Sequence, residues 1–208
     1  MTNPSEIPAL SDLNTSTAPL DTLRSWLLDL LCQLAYQEGD FVLSSGQQSS
    51  YYINCKQVTL HPAGSVAIAR LILPLLPLET EAVAGLTLGA DPMVSSLSVV
   101  SVYENRPIPA LIIRKEAKGH GTKAYIEGPE LPPGAKVVVL EDVVTTGQSA
   151  LKAVQRLTDA GYSVDKVIAL VDRHQGGAEL YQNAGLNFES LYGINELQTR
   201  YQTLNLGH

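Results

Sequence analysis

The stretch VVVLEDVVTTGQSA, Val137 to Ala150, runs four apolar residues into two adjacent carboxylates, Glu141 and Asp142, and then into the small-residue bend Thr145-Thr146-Gly147-Gln148-Ser149 before helix-forming residues resume. Two like charges at the end of a buried strand are costly unless something neutralises them. The bend offers backbone N–H groups and hydroxyls at the mouth of a helix, which suits a phosphate monoester. The acids can accept hydrogen bonds from vicinal hydroxyls or hold a hydrated divalent cation. Together they fit a ribose 5-phosphate. The plainer reading is that Asp142 is a turn acid and that Thr145 or Thr146 caps the next helix.

Working outward, the same alternation of apolar strand and helix recurs. EAVAGL, IPALIIR, KVVVL and DKVIALVD read as strands, with helices from Asp91 through Tyr103 and from Gln148 to Ala160. Apolar strands separated by helices imply crossovers and a parallel sheet covered on both faces, an α/β fold. Ligands in such sheets sit beyond the carboxyl ends of the strands. Glu141-Asp142, Gly89-Ala90-Asp91, Arg114 and Asp172-Arg173 all fall at such ends.

Upstream, Asp21 is a plausible N-cap for a helix over TLRSWLLDLLCQLAYQ that Gly39 ends. FVL and SYYINCKQV then read as two flap strands around Ser44-Ser45-Gly46, and Pro62 opens a further helix. The domain reading is a mobile tail over 1–19 and one domain over 20–208. Helix and flap occupy 20–59, the core sheet 60–175 and a C-terminal part 176–208.

Composition narrows the partners. The chain has 208 residues, with 14 Lys plus Arg against 21 Asp plus Glu, a net charge of -7. That argues against nucleic acid and against anionic membranes. No segment reaches the roughly 18 uninterrupted apolar residues of a membrane span, since Arg70, Pro74 and Pro77 break the best candidate. Cys32 and Cys55 match no metal spacing, and a chain with no secretory signal reads as cytoplasmic with reduced thiols. No G-x-x-x-x-G-K-[ST] or G-x-G-x-x-G follows a strand.

Against that acidic background, RKEAKGHGTK, Arg114 to Lys123, gathers four of the 14 basic residues with His120. A solvated loop is the plain reading of a charge run. Gly119 and Gly121, however, allow a lid, whose cations would neutralise a leaving anion in a site closed to water.

VVVLEDVVTTGQS resembles the phosphoribosyl-pyrophosphate signature of type I phosphoribosyltransferases: an apolar run, two acids, two apolar residues and T-T-G. RKEAKGHGTKAYIEG is similar to the mobile loop of the orotate phosphoribosyltransferase family, with its pattern R-K-x-x-K-x-H-G. FVLSSGQQSSYYIN resembles the flap of that family, and VDRHQGGAELYQNAGLNFESLYGINEL its C-terminal part, so the likeness runs from about Gly39 to Leu197. The resemblance implies a type I phosphoribosyltransferase fold, a central parallel sheet flanked by helices with a small flap. It also implies transfer of 5-phosphoribose from phosphoribosyl pyrophosphate to orotate, with Mg²⁺.

Residue by residue, it places Arg114, Lys115, Lys118 and His120 on the pyrophosphate and Glu141 and Asp142 on the ribose and, mostly indirectly, the metal. Val143, Val144, Thr145, Thr146, Gly147, Gln148 and Ser149 fall on the 5-phosphate loop, Thr145 and Arg173 on orotate, and Tyr52 with Ile53 on the flap over the base. Catalysis is assigned to Lys118, Glu141 and Asp142. A guanidinium at Arg173 suits orotate's carboxylate. The family's shared lid implies a two-fold homodimer.

Two positions depart from the pattern: Ser44, where many family members carry Lys, and Gly89, where some do. His61 and His174 read as capping or surface residues. Competing readings are a phosphoribosyltransferase for a purine or uracil and a non-catalytic regulator that senses phosphoribosyl pyrophosphate. Arg173 and the flap oppose the first, the intact lid and the net charge of -7 the second.

Overall fold

The computed structural model describes residues 13–42, 48–118 and 125–205. Helix α1, Leu20–Leu34, packs Leu23, Leu27, Leu30 and Leu31 against the core at helical spacing. Its N-cap position is Pro19 and Asp21 lies in the first turn, where a carboxylate favours the helix dipole without capping it. Residues before it are already packed: Arg70 donates to the carbonyls of Thr15 (2.9 Å) and Ala18 (2.8 Å), so the expected tail is shorter than residue 19. Residues 1–12 lie outside the described residues.

The helix stops at Leu34, not at Gly39, because Tyr36–Val42 (β1) already pairs antiparallel with Gln48–Ile53 (β2). Gly39, at φ +152, serves the register irregularity between Glu38 and Phe41, a bulge in the hairpin. The second strand is also shorter than SYYINCKQV: Lys56–Thr59 turns into a short helix, α2. The turn Ser44-Ser45-Gly46 lies outside the described residues.

Helix α3, Pro62–Ile72, starts as expected, with Pro at its first position and His61 at the N-cap accepting from the Gly64 N–H at 3.3 Å. A 3-10 turn over Leu73–Leu75 follows. Then come β3 (Ala82–Leu86), α4 (Asp91–Tyr103), β4 (Ala110–Ile113), β5 (Ile126–Glu127), β6 (Lys136–Val144), α5 (Gln148–Asp159), β7 (Ser163–Asp172), α6 (Gly177–Asn183), β8 (Asn187–Gly193) and α7 (Ile194–Asn205).

The strands form a six-stranded sheet in the order β5-β4-β3-β6-β7-β8. All neighbours run parallel except β4 and β5. Alternation assigns its faces. Val138 and Leu140 join one apolar cluster with α1, α3 and α4, while Val137 and Val139 join another with α5 and α6. Each fully buried Val or Leu contributes about 1.5–3 kcal/mol, so both faces of β6 are fixed by many such terms. The chain runs from β3 outward to β4, then returns to β6 and proceeds the other way to β7 and β8. The order therefore reverses between β3 and β6, which is where open α/β sheets form their ligand crevice. Among the described residues, no helix is long and apolar enough to cross a membrane.

Candidate active site

β6 runs through Glu141 and Asp142 to Val144, so the acids belong to the strand rather than to the turn beyond it. Strand alternation sends them to opposite faces. Asp142 turns towards the reversal point, where a Cβ on Gly89, just beyond β3, would lie 2.3 Å from Asp142 Oδ1. Gly89 thus lets the chain after β3 approach the carboxylate, and a lysine there would have to displace it. Glu141 turns towards the bend and Tyr181, where a pocket of about 70 Å³ is lined by Glu141, Val143 through Ser149, and Tyr181.

Both acids are buried, at 8% and 9% exposure. Burial first, and then the Asp142 charge, push Glu141 up to about 8, opposed by the Lys115 ammonium. Burial also raises Asp142, opposed by Lys56 and by backbone N–H groups. Glu141 Oε2 has no hydrogen-bond partner among the described residues. Burial of an acceptor without a partner is costly, and a sugar hydroxyl or metal-bound water would satisfy it.

The bend is concave and turns at a glycine. Gly147 sits in the left-handed region at φ +82, which a side chain would strain, and the Tyr181 ring closes within 3.0 Å of where its Cβ would be. Gly177 of α6 lies closer still to its neighbour, since a Cβ there would fall 2.2 Å from Val144 Cγ1. Thr146, Gln148 and Ser149 stay exposed at the opening of α5. Just after β3 the Thr87–Leu88 peptide is cis.

Arg173 follows β7, with its N–H bonded to the Val144 carbonyl at 2.9 Å. Its Nε donates to the Tyr51 hydroxyl at 3.0 Å and its guanidinium carbon lies 4.7 Å from that ring's centroid, while Nη2 is buried without a partner among the described residues. The flap therefore reaches the sheet through Tyr51, which sequence reading treated as an ordinary strand residue. Tyr52 is on the opposite face of the hairpin, its ring 5.6 Å from Phe41, and is not brought to Arg173. Ile53 packs against the core beside Tyr51. His174 lies 3.7 Å from Asp172 and exposed, as expected of a surface histidine.

Of the basic segment, Arg114, Lys115 and Lys118 are described; His120 and Lys123 lie outside the described residues. Arg114 pairs with Glu127 at 3.0 Å, and Lys118 approaches the same carboxylate at 3.8 Å. The Arg114 hydrogen bond and the Lys118 charge hold Glu127 below the usual carboxylate range. Exposed pairs of this kind are weak and screened by solvent, so a polyanion can take these cations over. Lys56, which no sequence motif flagged, is a further cation acting on Asp142, the carboxylate that Gly89 approaches; Ser44 lies outside the described residues.

Among the described residues no group of three metal-ligating side chains occurs. Two carboxylates on opposite strand faces do not enclose one ion, but they suit a Mg²⁺ that keeps its waters and takes its other oxygens from a phosphorylated ligand.

The family model for the phosphoribosyl transferase domain matches residues 63–188. Orotate phosphoribosyltransferase of Nostoc sp. (strain PCC 7120 / SAG 25.82 / UTEX 2576) is 73% identical over 204 residues, 98% of this chain and 99% of that relative. The crystal structure of Mycobacterium tuberculosis H37Rv orotate phosphoribosyltransferase in complex with Fe(III) dicitrate is 40% identical, covers 84% of this chain and 98% of that one, and superposes with a TM-score of 0.75. The same enzyme in complex with 5-phospho-alpha-D-ribosyl 1-diphosphate is 36% identical, covers 85% and 99%, and has a TM-score of 0.72. With a carboxylate pair at the sheet's reversal point, a glycine-bent pocket beyond it, and these matches along nearly its whole length, the chain belongs to the orotate phosphoribosyltransferase family.

Proposed function

We infer that the chain transfers the 5-phosphoribosyl group of phosphoribosyl pyrophosphate to orotate, giving orotidine 5-phosphate and pyrophosphate in pyrimidine biosynthesis. The observation that carries the reading is the junction of two features: the buried Glu141 Oε2, without a partner among the described residues, opens on a cradle lined by Thr145 through Ser149.

The 5-phosphate sits in that cradle, where the N–H groups and hydroxyls at the start of α5 receive it. Glu141 and Asp142 accept hydrogen bonds from the ribose hydroxyls, one from each face of β6. As the bond from the anomeric carbon to the pyrophosphate oxygen breaks, positive charge develops on the ring and the carboxylates stabilise it. The ring nitrogen of orotate then forms the new bond to that carbon and gives up its proton to the departing pyrophosphate or to solvent, with no covalent enzyme intermediate. Arg173 grips orotate's carboxylate with Nη2, which has no partner among the described residues, aligned from behind by Tyr51. Arg114, Lys115, Lys118 and His120 take the leaving pyrophosphate, with Lys118 acting on the departing charge. When bound, Mg²⁺ supplies neutralisation of the pyrophosphate, and Glu141 and Asp142 would hold it through water and the sugar hydroxyls.

A two-fold dimer in which each subunit lends part of its basic segment, Lys118 included, to the other, while Arg114 and Lys115 serve their own site, is part of the proposal. Its support is α4, apolar on both sides: Met93, Val94 and Leu97 are buried, while Val99, Val102 and Tyr103 are 60%, 59% and 80% exposed. A cytoplasmic location is proposed with it, since Cys32 and Cys55 are free thiols.

Loss of orotate absorbance tests the reaction. The complete mixture consumes orotate, and omission of phosphoribosyl pyrophosphate or Mg²⁺ stops it. Consumption of adenine or uracil but not orotate would contradict the substrate assignment.

A further inference from the structure

Arg156 has no part in the reading above, yet it is a guanidinium only 9% exposed. Its Nη1 donates to the Arg114 carbonyl and its Nη2 to the Lys115 carbonyl at 2.8 Å. Its guanidinium carbon stands 4.0 Å from the centroid of the Tyr125 ring. Tyr125 in turn accepts, through its carbonyl, the Arg114 N–H at 2.8 Å. One side chain therefore gathers the residues where the chain leaves β4 into the basic segment and the residue where it re-enters β5. Burying a guanidinium is expensive, and a neutral side chain could fill the space at less cost. What the charge adds is a planar fork that fixes two consecutive carbonyls, and hence the direction in which Lys115 and Lys118 leave the strand.

Arg156 also ties that root to a second part of the site. It lies on α5, about 12 Å along the helix from Gln148, and the first turn of α5 forms the edge of the anion cradle. The Lys115 ammonium also acts on Glu141, which lines the cradle.

We propose that Arg156 is a positioning residue for pyrophosphate binding, holding Arg114 and Lys115 at a fixed place relative to the cradle on the same helix. This rests on the pyrophosphate role given above to the basic segment.

Calorimetry on the full-length chain with two probes tests it: inorganic pyrophosphate, and ribose 5-phosphate, which fills the cradle alone. Arg156→Gln is expected to weaken pyrophosphate binding about 10- to 100-fold, as a displaced positioning group does, and to leave ribose 5-phosphate within about twofold. KM for phosphoribosyl pyrophosphate rises while KM for orotate holds. Arg156→Lys keeps the charge without the fork and stays nearer to Arg156→Gln than to wild type. Tyr125→Leu, which leaves α5 untouched, gives a smaller loss of the same selectivity and serves where Arg156→Gln fails to fold. Equal weakening of both probes, unchanged pyrophosphate affinity, or full rescue by Lys overturns the role. A wild-type chain that binds ribose 5-phosphate but no pyrophosphate overturns the reading beneath it as well.

Discussion

At Glu141, burial and the neighbouring Asp142 charge push the carboxyl from its ordinary 4.5 up to about 8. The native chain without ligand then keeps a proton that the unfolded chain releases above about 4.5, so protons favour the native state. Stability is complete below that pH and falls as pH rises through about 8, by on the order of a few kcal/mol. Urea denaturation between about pH 5 and pH 9 checks it, and Glu141→Gln, which has no proton to lose, should flatten the decline. A second residue-scale expectation concerns Tyr51, whose hydroxyl accepts the Arg173 Nε hydrogen bond. Tyr51→Phe leaves the ring under the guanidinium but removes the acceptor, so KM for orotate should rise about fivefold, the worth of one such bond. KM for phosphoribosyl pyrophosphate should stay level, and steady-state kinetics distinguishes the two. Tyr51 was hidden in the sequence because YY in a strand shows that one ring faces inward without showing which. Pairing of Tyr36 with Ile53 settles it, and that register is set by a bulge at Gly39 that no residue pattern announces.

Elements with strong punctuation were legible: Pro62 at the start of α3, Asp91-Pro92 at the start of α4 and Gly147 before α5 fall where the structure places them. Misreadings cluster where one residue type serves two ends. Gly39 supports a bulge rather than a helix stop, and the apolar LCQLAY run passes from helix to strand after Leu34 without a break in hydropathy. The C-terminal elements α6, β8 and α7 were not resolved into helix and strand, since the polar-rich NFESLYG is half-buried at the sheet edge and carries little period-two contrast. For α5 the decisive feature is the left-handed glycine at its cap. Gly147→Ala forces a side chain into that region against the Tyr181 ring. It should cost about 1–2 kcal/mol of stability and weaken ribose 5-phosphate binding, with thermal denaturation and calorimetry as the readouts. Unchanged phosphate affinity would show that the bend is not the cradle.

Across the whole molecule, the four strand ends named from sequence are adjacent in the sheet, because β4, β3, β6 and β7 are neighbours in its order. That convergence was legible because parallel strands all deliver their carboxyl ends to one side. The supporting contacts were not: Arg156 to Lys115, Gly89 to Asp142 and Tyr51 to Arg173 join segments 41, 53 and 122 residues apart, and no local pattern specifies them. Subunit exchange tests the proposed dimer. Lys118→Ala and Asp142→Asn chains, each nearly inactive, should on reassociation recover about a quarter of wild-type activity, from heterodimers with one intact site. Mixtures as inactive as their parents would mean that each chain completes its own site. The most direct test of the site is a crystal structure with phosphoribosyl pyrophosphate and Mg²⁺. The account predicts the 5-phosphate within the bend from Thr145 to Ser149 and the ribose hydroxyls on Glu141 and Asp142; a sugar bound elsewhere, with that bend empty, would contradict it.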